Sequence, residues 1–397
     1  MNIGIVSPFN PYCVKDYLLV NNVPILHNGA TAVNTLVLSF LQEGHSVCVF
    51  TSDLSISETT LLQGKRIKIY IMPAMLHTKI KWFKHKLMMD QFYMPGRIAS
   101  VIKKEIASLD VLHAHWTYEY ASAAKLFAHI KPVFVTVRDW APYIYSMQKT
   151  FHQKAIWRFR YNTFLKLMRS SNLHFIANSQ YTYNHIISEY PDKNVDIIHN
   201  SINEKYIITH RRKKPLHHQF ISIAQSLDDN YKNIVTLLQA FREYGKKYPQ
   251  ACLHLVGMYN PNGTNYSHWK ELGLLKNVIF HGPLLHSEIF SIMDNMSCLI
   301  HPSLEETFGN IILEAMARGI PCIGGEDSGA VPYVLGFGKY GLICNVKDAT
   351  AIESSMEKLL KDDFVKQLVS SATDMLINTY SSKAIVKKHI ELYYRYL

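Results

Sequence analysis

The feature that most constrains this chain is an alternation that runs through it twice. Short apolar runs rich in Val, Ile or Phe occupy 2–7, 46–51, 66–72, 111–114, 133–137, 174–178 and 195–199, and amphipathic stretches such as 31–43 and 95–109 separate them. Apolar runs of strand length between helix-length segments predict βαβ units and a parallel sheet covered on both faces. The basic segment 209–218, Thr-His-Arg-Arg-Lys-Lys-Pro-Leu-His-His, has almost nothing to bury and interrupts the pattern. The alternation then restarts. Its apolar runs fall at 220–224, 252–256, 278–281, 298–301, 321–324 and 341–344, and its helical spacing covers 232–247, 285–295, 310–318 and 348–360. The expected architecture is α/β, two Rossmann-like doubly wound domains facing a central cleft. Its expected bounds are a first domain at 1–205, a linker at 206–218, a second domain at 219–378, and a C-terminal helix at 379–397 that could pack back on the first. Ligands of such sheets bind beyond the carboxyl ends of the strands, so functional residues are expected just after strands.

Composition narrows the classes of partner. With 397 residues, two sizeable domains are expected, and 48 % apolar residues suffice to fill their cores. The charge of +11 favours anionic partners, whether nucleotides, nucleic acid or a negative membrane surface. The stretch 17–42 lacks charged residues, but Asn, Pro, His and Gly interrupt it, so it does not read as a membrane span. The opening Met-Asn-Ile-Gly-Ile-Val reads as a buried strand and not as a signal peptide. Six scattered cysteines without a Cys-x-x-Cys pair read as buried thiols of a reducing cytosol. No Asp-x-Asp motif or His/Cys cluster has metal-ligand spacing, so no metal is expected.

The segment richest in chemistry is 301–321, His-Pro-Ser-Leu-Glu-Glu-Thr-Phe-Gly-Asn-Ile-Ile-Leu-Glu-Ala-Met-Ala-Arg-Gly-Ile-Pro. A strand ends near His301 and a helix begins near Asn310. Gly309 lets a ligand approach the backbone closely. The amides of Phe308, Gly309, Asn310 and Ile311 lie at a helix N-terminus, which favours an anion such as a diphosphate. Glu306 precedes the helix and Glu314 lies one turn inside it. Ionised carboxylates accept hydrogen bonds from the vicinal hydroxyls of a sugar. From spacing alone, a solvated helix residue at 314 and a helix-start charge at 306 explain the two glutamates equally well.

Glu306 and Glu314, with Phe308-Gly309 and the run Glu314-Ala-Met-Ala-Arg-Gly-Ile-Pro321, resemble the signature of the family-4 retaining glycosyltransferases, which have the GT-B fold. The resemblance covers essentially the entire second domain. It includes Phe220–Ala224 with the lysine loop 227–233, His254–Gly257, Val278–Gly282, Ser328–Pro332 and Gly341–Ile343. In the first domain it includes Gly44–Val47, Asp110–Trp116 and Ala177–Ser179. The resemblance implies a nucleoside-diphosphate-sugar donor held by the second domain and an acceptor held by the first. It implies that Glu314 binds ribose hydroxyls, Glu306 binds donor-sugar hydroxyls, and the amides 308–311 hold sugar and diphosphate. It further implies that Lys232 neutralises the diphosphate, His115 reaches the sugar beside the reaction centre, Gly29 approaches phosphate, and Gly282 lies near the base. Metal-independent transfer with retention, without a cofactor beyond the donor, follows from the same likeness.

Three positions depart from the family pattern. Ser226 stands where an arginine often pairs with the lysine, Arg138 stands where many members have histidine, and Tyr333 replaces a glutamate. Basic-aromatic stretches at 79–89 and 153–161 suit the surface of an anionic leaflet, as a lipid-linked glycan acceptor would require. No nucleic-acid motif is present. The expected protein is a cytoplasmic enzyme, peripheral on the inner membrane face, acting in bacterial surface polysaccharide synthesis. Its rivals are a nucleotide-sugar 2-epimerase and a non-catalytic glycosyltransferase-like scaffold.

Overall fold

The computed structural model describes residues 1–26, 30–74, 86–148, 150–208 and 218–397, without the side chains of 86–92 and 152. The chain divides into two compact units, Met1–Ser201 with Ser382–Leu397, and Ile202–Ser381.

The first unit is built on β1 (Asn2–Val6), β2 (Ser46–Asp53), β3 (Thr60–Gly64), β4 (Ile67–Pro73), β5 (Val111–His115), β6 (Val133–Val137), β7 (His174–Ala177) and β8 (Val195–Ile197). They lie in the order β3-β4-β2-β1-β5-β6-β7-β8. Every pairing is parallel except that of β3 with β4. The helices are α1 (Thr31–Gln42), α2 (Lys86–Glu105), α3 (Glu119–Lys125), α4 (Ala141–Ser146), α5 (Phe151–Met168) and α6 (Gln180–Glu189). Strands such as Val-Phe-Val-Thr-Val of β6 are buried along their whole length, because helices cover both faces of the sheet. Val6, Phe50, Leu112 and Phe164 pack into one layer, and Ile5, Phe40, Phe134 and Tyr393 into the other. Tyr393 comes from the terminal helix Ser382–Tyr394, which also buries Ile385, Val386 and Leu392 in that layer. Burial contributes about 1.5–3 kcal/mol for each large aliphatic side chain, which ties the end of the chain to the first unit.

The second unit holds β9 (Gln219–Ser226), β10 (Cys252–Met258), β11 (Val278–Gly282), β12 (Cys298–His301), β13 (Cys322–Gly325) and β14 (Leu342–Cys344), in the order β11-β10-β9-β12-β13-β14 and all parallel. Its helices are α7 (Ile234–Lys247), α8 (Thr264–Glu271), α9 (His286–Met293), α10 (Asn310–Ala317), α11 (Val331–Val334), α12 (Ala349–Lys358) and α13 (Asp362–Met375), and α14 is the terminal helix Ser382–Tyr394. Strand order reverses between β1 and β5 in the first unit and between β9 and β12 in the second. These are the switch points at which doubly wound sheets bind ligands.

Several elements differ from the sequence expectation. Strand β3, Thr-Leu-Leu-Gln-Gly, has no β-branched run and joins the sheet only through its antiparallel edge with β4. Helix α2 begins at Lys86 and carries Pro95 inside it, although proline usually marks a first turn. Helix α8 was not expected because its surface is mostly polar and it buries only Trp269. The basic segment 209–217, most of the expected linker, lies outside the described residues, as do Gly29 and residues 79–85. The other basic-aromatic stretch lies on α5. There Trp157 stacks edge-on against Tyr118 at 6.0 Å, and Arg160 covers both rings at 5.0 and 5.3 Å. Phe151, at the start of α5, is 89 % exposed. No helix among the described residues is long and apolar enough to cross a membrane.

Candidate active site

The second unit brings Lys232 and Glu306 together at its switch point. Lys232 follows β9 in a short 3-10 turn, Asn230–Lys232, and Glu306 lies in the loop after β12. The loops are knitted together by the backbone. The Leu304 amide donates to the Tyr231 carbonyl at 2.7 Å. Asn233, in a left-handed conformation with φ 56°, donates its side-chain amide to the carbonyls of Pro302 at 3.2 Å and Val346 at 2.8 Å. The Thr236 hydroxyl holds the Asn233 Oδ1 at 2.6 Å. Thus one asparagine fixes the turn that carries Lys232 against the loop that carries Glu306.

The Lys232 ammonium donates to Oε1 of Glu306. The Ser303 hydroxyl donates to the same oxygen at 3.1 Å, and Nε2 of His301 lies 3.2 Å away, off the hydrogen-bond direction. Burial opposes ionisation of Glu306, but Lys232 and His301 outweigh it and hold the carboxyl well below the usual carboxylate range. For Lys232 burial also works against the charge, and Glu306 reverses it and raises the ammonium above its ordinary value. The site therefore presents a carboxylate and an ammonium at neutral pH. The Glu306 backbone is clamped as well. Its carbonyl accepts from the Ala330 amide at 2.8 Å, and a Cβ at Gly329 would meet that carbonyl oxygen at 2.3 Å. The motif Ser328–Pro332 thus serves as a backbone cradle, and only glycine fits its 329 position at φ +61°.

Helix α10 starts from Gly309, which has φ 88° and leaves the helix without a side-chain cap. The first-turn amides of an uncapped helix and its dipole attract oxyanions. Phe308 turns its side chain into the core, 2 % exposed and edge-on to Tyr380 at 5.8 Å, so only its backbone faces the loop. Glu314 is buried, and its Oε1 lies 2.9 Å from Nε2 of His286 at the start of α9. Burial lowers the His286 pKa, and Glu314 outweighs that and raises it. Gly282, φ 69°, ends β11 just before the loop into α9, with open space where a side chain would stand. Nothing in the sequence signalled His286 or Asn233 as neighbours of the glutamates. Ser226 ends β9.

His115 belongs to the first unit and ends β5 at that unit's switch point. The residue after it, Trp116, sits at φ 64°, a conformation that is costly for a bulky side chain and tends to mark functional sites. Nδ1 of His115 accepts from Nε of Arg138 at 3.1 Å. An arginine only donates, so the neutral ring carries its proton on Nε2. That Nε2–H is buried and has no hydrogen-bond partner among the described residues. Burial, with help from His113 and Arg138, holds the ring neutral, well below the ordinary histidine value. Behind it, His113 bonds to Tyr393 and to Thr136, each at 2.7 Å. Asp139 does not serve Arg138 as a salt-bridge partner among the described contacts. Burial pushes its carboxyl up to about 6 against the pull of Tyr118 and Arg160.

Two doubly wound α/β units, each built on a largely parallel sheet, are the architecture of the GT-B fold. Residues 29–206 match the family described as Glycosyltransferase Family 4, and residues 208–379 match Glycosyl transferases group 1. The chain belongs to this family, the group 1 glycosyltransferases of family 4. It is 24 % identical over 319 residues to N-acetyl-alpha-D-glucosaminyl L-malate synthase of Bacillus anthracis, covering 76 % of this chain and 78 % of that one. It is 28 % identical over 169 residues to the capsular polysaccharide biosynthesis glycosyltransferase CapM of Staphylococcus aureus, covering 42 % of this chain and 43 % of CapM. Its fold matches that of Anabaena HepE in complex with UDP and glucose, with a TM-score of 0.67 at 14 % identity over 99 % of both chains.

Proposed function

We propose that this transferase moves a sugar, with retention and without a metal, from a nucleoside-diphosphate sugar to a hydroxyl of a glycan acceptor in bacterial surface polysaccharide synthesis. The observation that carries the reading is the Lys232–Glu306 pair clamped beside the uncapped start of α10, with Glu314 one turn further on. Glu314 accepts from the ribose hydroxyls and Glu306 from those of the sugar. Lys232 and the α10 amides take the diphosphate, whose charge grows as the glycosidic bond breaks. The ion pair relaxes when the donor arrives, since Lys232 then has phosphate to face. In the first unit His115 offers its Nε2–H to a sugar hydroxyl. It acts as a donor, because a ring held neutral with Nδ1 engaged has no free lone pair for a base.

The polysaccharide setting draws on CapM, and the nucleotide class draws on HepE with UDP. A lipid-linked acceptor at an anionic leaflet agrees with the charge of +11 and the exposed Phe151. The test is a donor screen with UDP-, GDP-, ADP- and dTDP-sugars, following release of the nucleoside diphosphate. One donor should be cleaved by the wild type and spared by Glu306→Gln. Cleavage of none, with no binding of any, overturns the reading in favour of a scaffold. A 2-epimerised sugar formed without acceptor would make the enzyme an epimerase.

A further inference from the structure

The two glutamates of the second unit are built alike, because each faces a basic side chain from another segment. Glu306 has Lys232, a permanent cation. Glu314 has His286, the first residue of α9, whose Nε2 lies 2.9 Å from Oε1 of the carboxylate. Two bare lone pairs would repel one another at that distance, so Nε2 carries a proton. Nε2 is buried and off the hydrogen-bond direction, so the attraction is mainly one of charge. The imidazole is also seated. It packs on Phe290, one turn further along α9, with centroids 4.7 Å apart, and edge-on to Tyr206 at 5.9 Å. Tyr206 stacks on Phe290 at 4.6 Å, and Arg318 at the end of α10 covers Phe290 at 5.7 Å while it bonds to Asp294. Helices α9 and α10 and the 3-10 turn Glu204–Tyr206 thus pack around the ring.

Each of these elements brings charge to the imidazole. Glu314 of α10 favours its protonated form, and Lys205 of the 3-10 turn opposes it. The Lys205 ammonium is drawn over the Tyr206 ring, 4.9 Å from its centroid. On the histidine's own helix, Glu288 accepts from the Leu285 amide at 2.7 Å and offsets the dipole of the helix start, which disfavours a cation. The donor would bring its diphosphate to the start of α10, one turn from Glu314. A bare carboxylate there repels the phosphates, and an imidazolium removes that repulsion.

We propose that His286 is the positioning residue and titratable counter-ion of Glu314, so that its protonation sets the affinity for the nucleotide-sugar donor. The inference rests on the transferase reading above and deepens it. The imidazolium engages Oε1 of Glu314 and leaves Oε2 to the ribose hydroxyls. As pH rises the ring gives its Nδ1 proton to water and keeps Nε2–H. Glu314 then stays oriented, but its charge stands uncompensated before the diphosphate. Lys232 keeps its charge throughout, so the two glutamates differ in pH response although their pairing is alike.

The test measures donor KM and kcat from about pH 6 to pH 9, a range that spans histidine titration, on full-length wild type, His286→Gln and His286→Lys. The donor is the one that the screen selects. The diphosphate of an intact nucleotide sugar is fully ionised throughout, so it adds no inflection. Wild-type KM should rise about tenfold as the histidine loses its charge, the worth of one charged contact, with kcat within about twofold. His286→Gln should show the high KM at every pH, and His286→Lys, whose charge persists, the low one. A nitrogen-15 histidine resonance that is absent from His286→Gln should titrate above the ordinary histidine value and move down in Glu314→Gln. Circular dichroism certifies that each variant folds. A flat wild-type KM, an inflection that survives in His286→Gln, or an effect on kcat alone overturns the inference, and turnover in the same assay leaves the transferase reading standing. No turnover and no binding of any donor overturns both.

Discussion

The two switch points solve different electrostatic problems. At the second unit's, an ammonium and a carboxylate neutralise one another, and both come from loops that follow strand ends, 228–233 and 302–309. At the first unit's, three histidines, a tyrosine and one arginine gather from 113–115, 138 and 389–393, with the imidazoles held neutral by burial. A paired site can tolerate burial because each charge offsets the other. An imidazole site tolerates it by giving up its proton. The first arrangement suits a ligand whose charge is fixed and large. The second suits hydroxyls, which need oriented donors and acceptors, with one cation in reserve.

The largest effect that would break this contrast is on catalysis. Glu306→Gln should lower kcat/KM by roughly 10²–10³-fold, the usual loss when one electrostatic stabiliser is removed. An activity within threefold of wild type would show that the pair is structural only. Glu314→Ala should act mainly on KM for the donor, roughly ten- to a hundredfold, the worth of charge-assisted bonds of about 1.5–3 kcal/mol. A pure kcat effect would place Glu314 elsewhere in the mechanism. Asn233→Ala should cost about 1–3 kcal/mol, because it strips partners from the Pro302 and Val346 carbonyls, and it should lower activity through the displaced Lys232. A thermal melt and a donor assay read both.

A further effect is on acid stability, and it separates the units. The folded pKa of His389 is drawn down by burial and by Arg138 to about 3 from 6.5. The unfolded chain therefore binds more protons between those values, and stability is lost as pH falls from 6.5 toward 3. Glu306 is also depressed, but from 4.5, so its contribution is whole above pH 4.5 and is lost only below it. On acidification the first unit should loosen before the second, as followed by hydrogen exchange. His389→Leu should reduce the slope between pH 6.5 and 4.5 without abolishing it, since His113 and His115 are lowered as well. A second unit that loosens first would contradict the assignment.

The same contrast explains what was legible in the sequence. The parallel sheets were readable because most strands are short apolar runs between helix-length segments, whereas β3 and α8 lack such runs or bury too little to leave a pattern. The glutamate loop was readable because strand end, glycine and helix start follow one another within a few residues. The link of Gly329 to the Glu306 carbonyl, and of His286 to Glu314, was not, since no local rule brings those segments together. The cluster around His115 was least legible. Its His113–Tyr393 bond joins residues 280 apart, a separation that only the folded sheet resolves. Gly29, expected at phosphate, lies outside the described residues.

The central claim is that the nucleotide is held by the second unit's charged site and that His115 meets only the sugar. Calorimetric titration of the cognate nucleoside diphosphate into wild type, Glu314→Ala and His115→Ala tests it directly. The account predicts that Glu314→Ala weakens binding at least tenfold and that His115→Ala leaves it within twofold of wild type. Nucleotide affinity lost in His115→Ala and kept in Glu314→Ala would contradict it.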